Sequence, residues 1–210
     1  MSGFDLISQA LIACNEPKVL QLVQQALDQG GAAQDILDKG LIAAMDIVGE
    51  KMESEEMFIP EVLRAAKIMS AAIGILKPHL AEENIKARTR VVIGTVKGDL
   101  HDIGKNLVAM MMESSGLEVH NLGVDIAPEQ FVAAAKEKKA SILCLSALLT
   151  TTTPMMKATI AAAVQSGIRD QIKILIGGAP VTQKYADEIG ADGYAPDAGS
   201  ATKLVKKLIQ

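Results

Sequence analysis

The chain has 210 residues, of which 49% are hydrophobic and 2% aromatic, with no Trp and a formal net charge of −4. This length suits one large domain or two small ones, the acidic balance argues against a basic nucleic-acid face, and no apolar run reaches the length of a membrane span. The N-terminus carries Asp5 early and lacks a basic region, so it does not read as a signal peptide. The core must be built from Ala, Leu, Ile, Val and the ten Met, a residue suited to irregular contact surfaces. Cys14 and Cys144 lie far apart in apolar stretches and read as buried free thiols of a cytoplasmic protein. Two Cys and three scattered His lack the spacing of a structural zinc site.

Residues 1 to about 84 show helical periodicity and no strand pattern. A first helix carries Leu6, Ala10, Ile12 and Ala13. Pro17 opens a second after Asn15-Glu16, and Gly30-Gly31 closes it. A third carries Leu37, Leu41, Ala44, Met45 and Val48, and a fourth starts at Pro60 and runs to Leu76, with Pro78 near its end. Short connections predict a small four-helix bundle. From Arg90 the texture changes. Val91–Val96 is a continuous apolar run rich in β-branched residues, as in a parallel strand buried on both faces. Helices follow at 104–115, 128–138, 154–166, 181–190 and 198–209, alternating with strands at 119–122, 142–145, 172–176 and 193–195. The expected fold class is α/β with an N-terminal all-α cap: a helical bundle over 1–84, a linker over 85–89, and a Rossmann-like (flavodoxin-like) doubly wound five-stranded parallel sheet over 90–210, in strand order 2-1-3-4-5.

That order places ligands beyond the carboxyl ends of strands 1 and 3, where three constellations converge. The first is Asp99-x-His101 with Gly104, on a loop between a strand and a helix. A carboxylate bonded to one imidazole nitrogen fixes the tautomer and frees the other nitrogen for a metal; the bland alternative is an Asp that caps the following helix. The second is Ser146-Ala147-Leu148 with Thr150 and Thr152, whose hydroxyls can bond a heteroaromatic nitrogen or Asp99, or simply cap the helix that Pro154 opens. The third is Gly177-Gly178, which allows close backbone approach to a ligand or makes a tight turn. No dinucleotide-binding glycine fingerprint and no phosphate-binding P-loop is present. In the helical half, Met52, Met57, Phe58 and Ile59 either staple the bundle or form an apolar lid.

With these motifs in order, the chain resembles the corrinoid proteins of one-carbon metabolism, the vitamin B12-binding subunits of methanol, methylamine, glycine betaine and aryl methyl ether methyltransferase systems. It is also similar to the cobalamin-binding module of methionine synthase. The resemblance covers nearly the whole chain and rests on GTVKGDLHDIGKNLV (Gly94 to Val108), Ser146 to Leu148, and Gly177-Gly178. It implies cobalamin (methylcobalamin or a related corrinoid) as cofactor, His101 as the lower axial cobalt ligand, and Asp99 and Thr152 as its hydrogen-bonded partners. Ser146 and Thr150 would face the displaced base, Gly104, Leu148, Gly177 and Gly178 the nucleotide tail, and Asp102 and Ile103 the corrin edge. Met52 and Ile59 would cap the upper face of cobalt. The resemblance further implies a carrier that is not an enzyme on its own. As Co(I) it accepts a methyl group from a substrate-specific methyltransferase, with an O-demethylase or methylamine system favoured. As methyl-Co(III) it passes the methyl to a second methyltransferase with tetrahydrofolate or a thiol as acceptor, and a reductive activator rescues Co(II). The alternatives are a B12-dependent sensor, for which no DNA-binding output segment is visible, and the B12 subunit of an adenosylcobalamin mutase.

Overall fold

A computed structural model describes residues 3–80 and 89–209. The chain divides into two compact units, Met1–Arg88 with Ser114–Gly116, and Thr89–Glu113 with Leu117–Gln210. The expected linker over 85–89 lies, apart from Thr89, outside the described residues.

The first unit is helical: α1 (Gly3–Ile12), α2 (Glu16–Asp28), α3 (Ala33–Asp35), a π-helical segment (Ile36–Ile42), α4 (Ala43–Glu53), α5 (Ile59–Leu76) and a 3-10 turn (Lys77–His79). The Asn15 side chain caps α2 by accepting the Lys18 N–H, and Pro17 sits in the first turn, where its missing donor costs nothing. Glu61 accepts the Phe58 N–H at 2.9 Å and fixes the start of α5 one residue before the expected Pro60. The third expected helix thus contains a π-helical stretch, in which Gly40 lets Ile7 of α1 approach; a Cβ there would stand 3.3 Å from Ile7 Cγ2. Ile7, Leu11, Val19, Val23, Leu41, Met45, Val48, Val62 and Met69 are buried in this unit.

The second unit alternates strand and helix: β1 (Arg90–Thr95), α6 (Ile103–Ser114), β2 (Glu118–Asn121), α7 (Pro128–Lys138), β3 (Ile142–Ser146), α8 (Pro154–Gln165), β4 (Lys173–Gly177), α9 (Gln183–Ile189), β5 (Gly193–Tyr194) and α10 (Ala198–Leu208). All four strand pairs are parallel, in the expected order β2-β1-β3-β4-β5. Strand side chains alternate between two cores. Val92, Leu143, Leu145, Ile174 and Ile176 pack with Phe131, Val132, Met156 and Ile160 of α7 and α8. Val91, Ile93, Ile142, Cys144 and Leu175 pack with Ala109 and Met112 of α6 and Val205 of α10. Cys144 is buried as expected, and burial pushes its thiol up to about 12, whereas Cys14 is only partly buried; both are free.

Gly94 interrupts the β-branched run of β1 for a steric reason: a Cβ there would lie 2.7 Å from Cε1 and 2.9 Å from Cζ of the fully buried Phe131 ring. Gly94→Ala is therefore expected to destabilise the protein by about 1–3 kcal/mol, the usual cost of overpacking. Urea unfolding measures this, and adding Phe131→Leu should recover part of the loss.

Candidate functional site

β1 ends at Thr95 and α6 begins at Ile103, so residues 96–102 form a loop at the carboxyl edge of the sheet. Parallel register aligns Thr95 with Ser146 and Ser146 with Gly177, which brings the loops after β1, β3 and β4 to the same edge. Asp99 stands there with 0% of its surface exposed. Removing a carboxylate from water costs several kcal/mol unless hydrogen bonds replace the lost hydration. Five donors do so. Oδ1 accepts the His101 N–H at 3.1 Å and lies 2.7 Å from His101 Nδ1. Oδ2 accepts the backbone N–H groups of Leu148 at 2.8 Å and Leu149 at 3.3 Å and the Thr152 hydroxyl at 2.8 Å.

Burial pushes the Asp99 carboxyl up. The hydrogen bonds from the Leu148 N–H, the His101 ring and N–H, and the Thr152 hydroxyl outweigh it and hold the group well below the usual carboxylate range. An ionised carboxylate only accepts, so His101 Nδ1 carries the proton of that bond, and in the neutral imidazole it is Nε2 that holds the lone pair. The His101 side chain is 51% exposed. The loop therefore presents one nitrogen donor outward, oriented by a buried anion, which is the arrangement expected of a metal-binding histidine and its supporting carboxylate.

The structure decides between several alternatives left open by the sequence. Asp99 accepts no N–H from α6, so it is not a helix cap. Thr152 alone of the two singled-out threonines reaches Asp99; its methyl lies near Gly98, where a Cβ would stand 3.7 Å from it. Exposed Thr150 instead accepts the Thr153 hydroxyl on its backbone carbonyl. Ser146 ends β3, and Leu148 is exposed while its N–H is bound to Asp99. The glycine pair has an explanation within the sheet. Gly178 has φ +128°, a Cβ there would collide with the Ala147 carbonyl, and one on Gly177 would lie 3.1 Å from Ala195 O. Gly104 differs, because a Cβ there would meet nothing within 4 Å. Ile103 and Leu100, at 80% and 72% exposed, flank His101 with apolar surface. Asp102 accepts the Asn106 side-chain amide at 2.9 Å. In the helical unit Met57 is buried, whereas Met52 is half-buried and Phe58 and Ile59 are exposed.

Three participants escaped sequence reading. The Leu148 and Leu149 donors belong to the backbone and carry no side-chain signal. Thr95, fully buried, donates its hydroxyl to the His101 carbonyl at 2.9 Å, and a threonine ending a strand looks like an ordinary strand residue.

A family described as a B12 binding domain matches residues 89–203, and a second of the same description matches residues 4–77. The chain belongs to the B12-binding corrinoid proteins. It is 41% identical to dimethylamine corrinoid protein 1 of Methanosarcina acetivorans over 213 residues, covering 100% of both chains. Among solved structures it is similar to a cobalamin-binding protein from Desulfitobacterium hafniense DCB-2, with 33% identity, a TM-score of 0.86, and coverage of 99% of this chain and 98% of that one. It also matches the methanol:cobalamin methyltransferase complex from Methanosarcina barkeri, with 30% identity, a TM-score of 0.82, and coverage of 99% of this chain and 79% of that one. The protein is thus a cofactor-carrying subunit of the methyltransferase systems, and its cofactor is a corrinoid. The residues present fit that group: an outward imidazole nitrogen, exposed apolar surface at Leu100 and Ile103 for a flat macrocycle, and open space over Gly104. No helix among the described residues is long and apolar enough to cross a membrane.

Asp99 is held below its unfolded value of about 3.9, so its contribution to stability is present above about pH 4 and lost as pH falls further. Apo Asp99→Asn is expected to unfold at a lower temperature than wild type at pH 7, with the gap narrowing below pH 4. A gap that stays constant with pH contradicts the ionised, hydrogen-bonded state.

Proposed function

We propose that this protein is a methyl carrier serving two transferases in turn, with His101 as the lower axial ligand of its corrinoid. The observation that carries this reading is the buried Asp99 carboxylate 2.7 Å from His101 Nδ1, which leaves Nε2 facing outward. When bound, the corrinoid supplies a cobalt centre able to take up and give back a methyl group. His101 would hold that centre from below, and Asp99 would set the imidazole's proton state, so that losing and regaining the ligand couples to proton movement. Thr152 and the Leu148 and Leu149 N–H groups keep Asp99 in place through such a change. Ser146 would bond the displaced base with Thr150 nearby, Gly104, Leu148, Gly177 and Gly178 would leave room for the nucleotide tail, and Asp102 and Ile103 would lie near the corrin edge. Met52 and Ile59 would supply apolar cover to the upper face, as the resemblance implies.

A methylamine is the favoured methyl donor, supported by the full-length similarity to a dimethylamine corrinoid protein; methanol and aryl methyl ether donors are the competing classes. The partners are a substrate-specific methyltransferase, a second methyltransferase that delivers to tetrahydrofolate or a thiol, and a reductive activator, all in the cytoplasm.

Protein loaded with methylcobalamin, offered tetrahydrofolate or a thiol with cell extract, is expected to transfer its methyl group; light-dependent DNA binding without transfer would establish a sensor instead. His101→Ala should keep some corrinoid but lose the spectrum of histidine ligation, and an unchanged spectrum defeats the axial assignment. Met52→Asp should expose the upper face to solvent oxidation while the protein stays folded; unfolding would mark Met52 as a bundle staple only.

A further inference from the structure

The His101 loop is tied down a second time by groups outside the Asp99 network. Lys105, in the first turn of α6, is only 3% exposed. Its ammonium donates to two neutral oxygens, Asn106 Oδ1 at 2.6 Å and Asn121 Oδ1 at 2.7 Å. Asn121 ends β2, and its Oδ1 also accepts the Gly123 N–H at 3.0 Å while its Nδ2 donates to Asn106 Oδ1 at 3.0 Å. The Gly123 carbonyl accepts the Thr95 N–H at 3.0 Å, and the Thr95 hydroxyl reaches the His101 carbonyl. On the other side Asn106 Nδ2 donates to Asp102, the residue next to His101. The bonds form a ring: His101, Thr95, Gly123, Asn121, Lys105, Asn106 and Asp102.

A buried ammonium given only neutral acceptors is an unfavourable way to fill space, since a Leu or Met would pack there without desolvation. Burial indeed lowers the Lys105 pKa, and the charge of Asp102 only partly restores it. Its return is geometric: one cation joins the first turn of α6 to the end of β2, and a fully satisfied polar network specifies position more narrowly than apolar contact does. We propose that Lys105 is a positioning residue that clasps the loop carrying His101 and thereby fixes where the imidazole Nε2 stands. This rests on His101 being the axial ligand. Asp99 decides which nitrogen is offered; the ring decides where it is offered. Loss of the clasp leaves the Asp99–Leu148 and Asp99–Thr152 bonds intact, because none of them passes through Lys105.

The test compares full-length wild type with Lys105→Met, which removes the ammonium and leaves only the Asn121 Nδ2–Asn106 Oδ1 bond between α6 and β2, and with Asn121→Ala, which removes both links. In the apo proteins, hydrogen exchange of the Thr95 and Gly123 amides is expected to speed up at least tenfold in both variants while the Leu148 amide stays protected. After loading with cobalamin and reduction to Co(II), the fraction of the electron paramagnetic resonance signal split by a histidine nitrogen is expected to fall at least threefold in both. If either variant fails to fold by circular dichroism, the other carries the comparison. Folded variants with wild-type exchange and wild-type splitting overturn the clasp. Absence of the splitting in wild type itself overturns the axial reading, and exchange alone then decides whether Lys105 holds the loop.

Discussion

The carboxyl edge of the sheet is organised around one buried anion. Asp99 has no countercation in contact; five dipolar donors hold it, three from the backbone, one from a hydroxyl and one from an imidazole. Hydrogen bonds to a charged acceptor contribute about 1.5–3 kcal/mol each, enough together to offset burial. Neutral donors leave the negative charge uncancelled beside the His101 ring. Substituting a lysine or arginine for these donors would satisfy Asp99 equally well and remove its influence on the imidazole.

The donors come from two loops nearly fifty residues apart in the chain, and only the parallel pairing of β1 with β3 makes them neighbours. Both strands end at the same level, Thr95 beside Ser146, so that the chain leaving β3 turns its first free N–H groups, on Leu148 and Leu149, toward the loop leaving β1. A slip of one residue would point those groups away and leave Asp99 buried without them. The hydrophobic cores on the two faces of the sheet hold that register, and through it the apolar interior supports the polar edge.

Glycine in this edge has two different origins. Gly178 is required by the Ala147 carbonyl and by its own φ of +128°, so its presence follows from the fold before any ligand is considered. Gly104 has ordinary helical backbone and open space where a side chain would sit, which internal packing does not demand.

Much of the fold was legible because it rests on local patterns: β-branched runs alternating with helical periodicity define a parallel sheet, and five such units restrict the strand order. The Asp99-x-His101 pairing was legible for the same reason, since two residues on one loop meet without help from the rest of the chain. Helix ends shifted by a residue or so, because caps such as Glu61 on the Phe58 N–H are chosen by local geometry finer than hydrophobic period. The close approach of Ile7 to Gly40 and the role of Gly94 were invisible, being set by Ile7 and Phe131 from other elements. By itself, then, the sequence determined the sheet, its order and the carboxylate–imidazole pair, all properties of near neighbours and periodicity. Only the tertiary structure decided which hydroxyl reaches Asp99, that backbone N–H groups complete its shell, and that Lys105 joins α6 to β2, because those bonds depend on register between segments that the chain brings together only when the cores close.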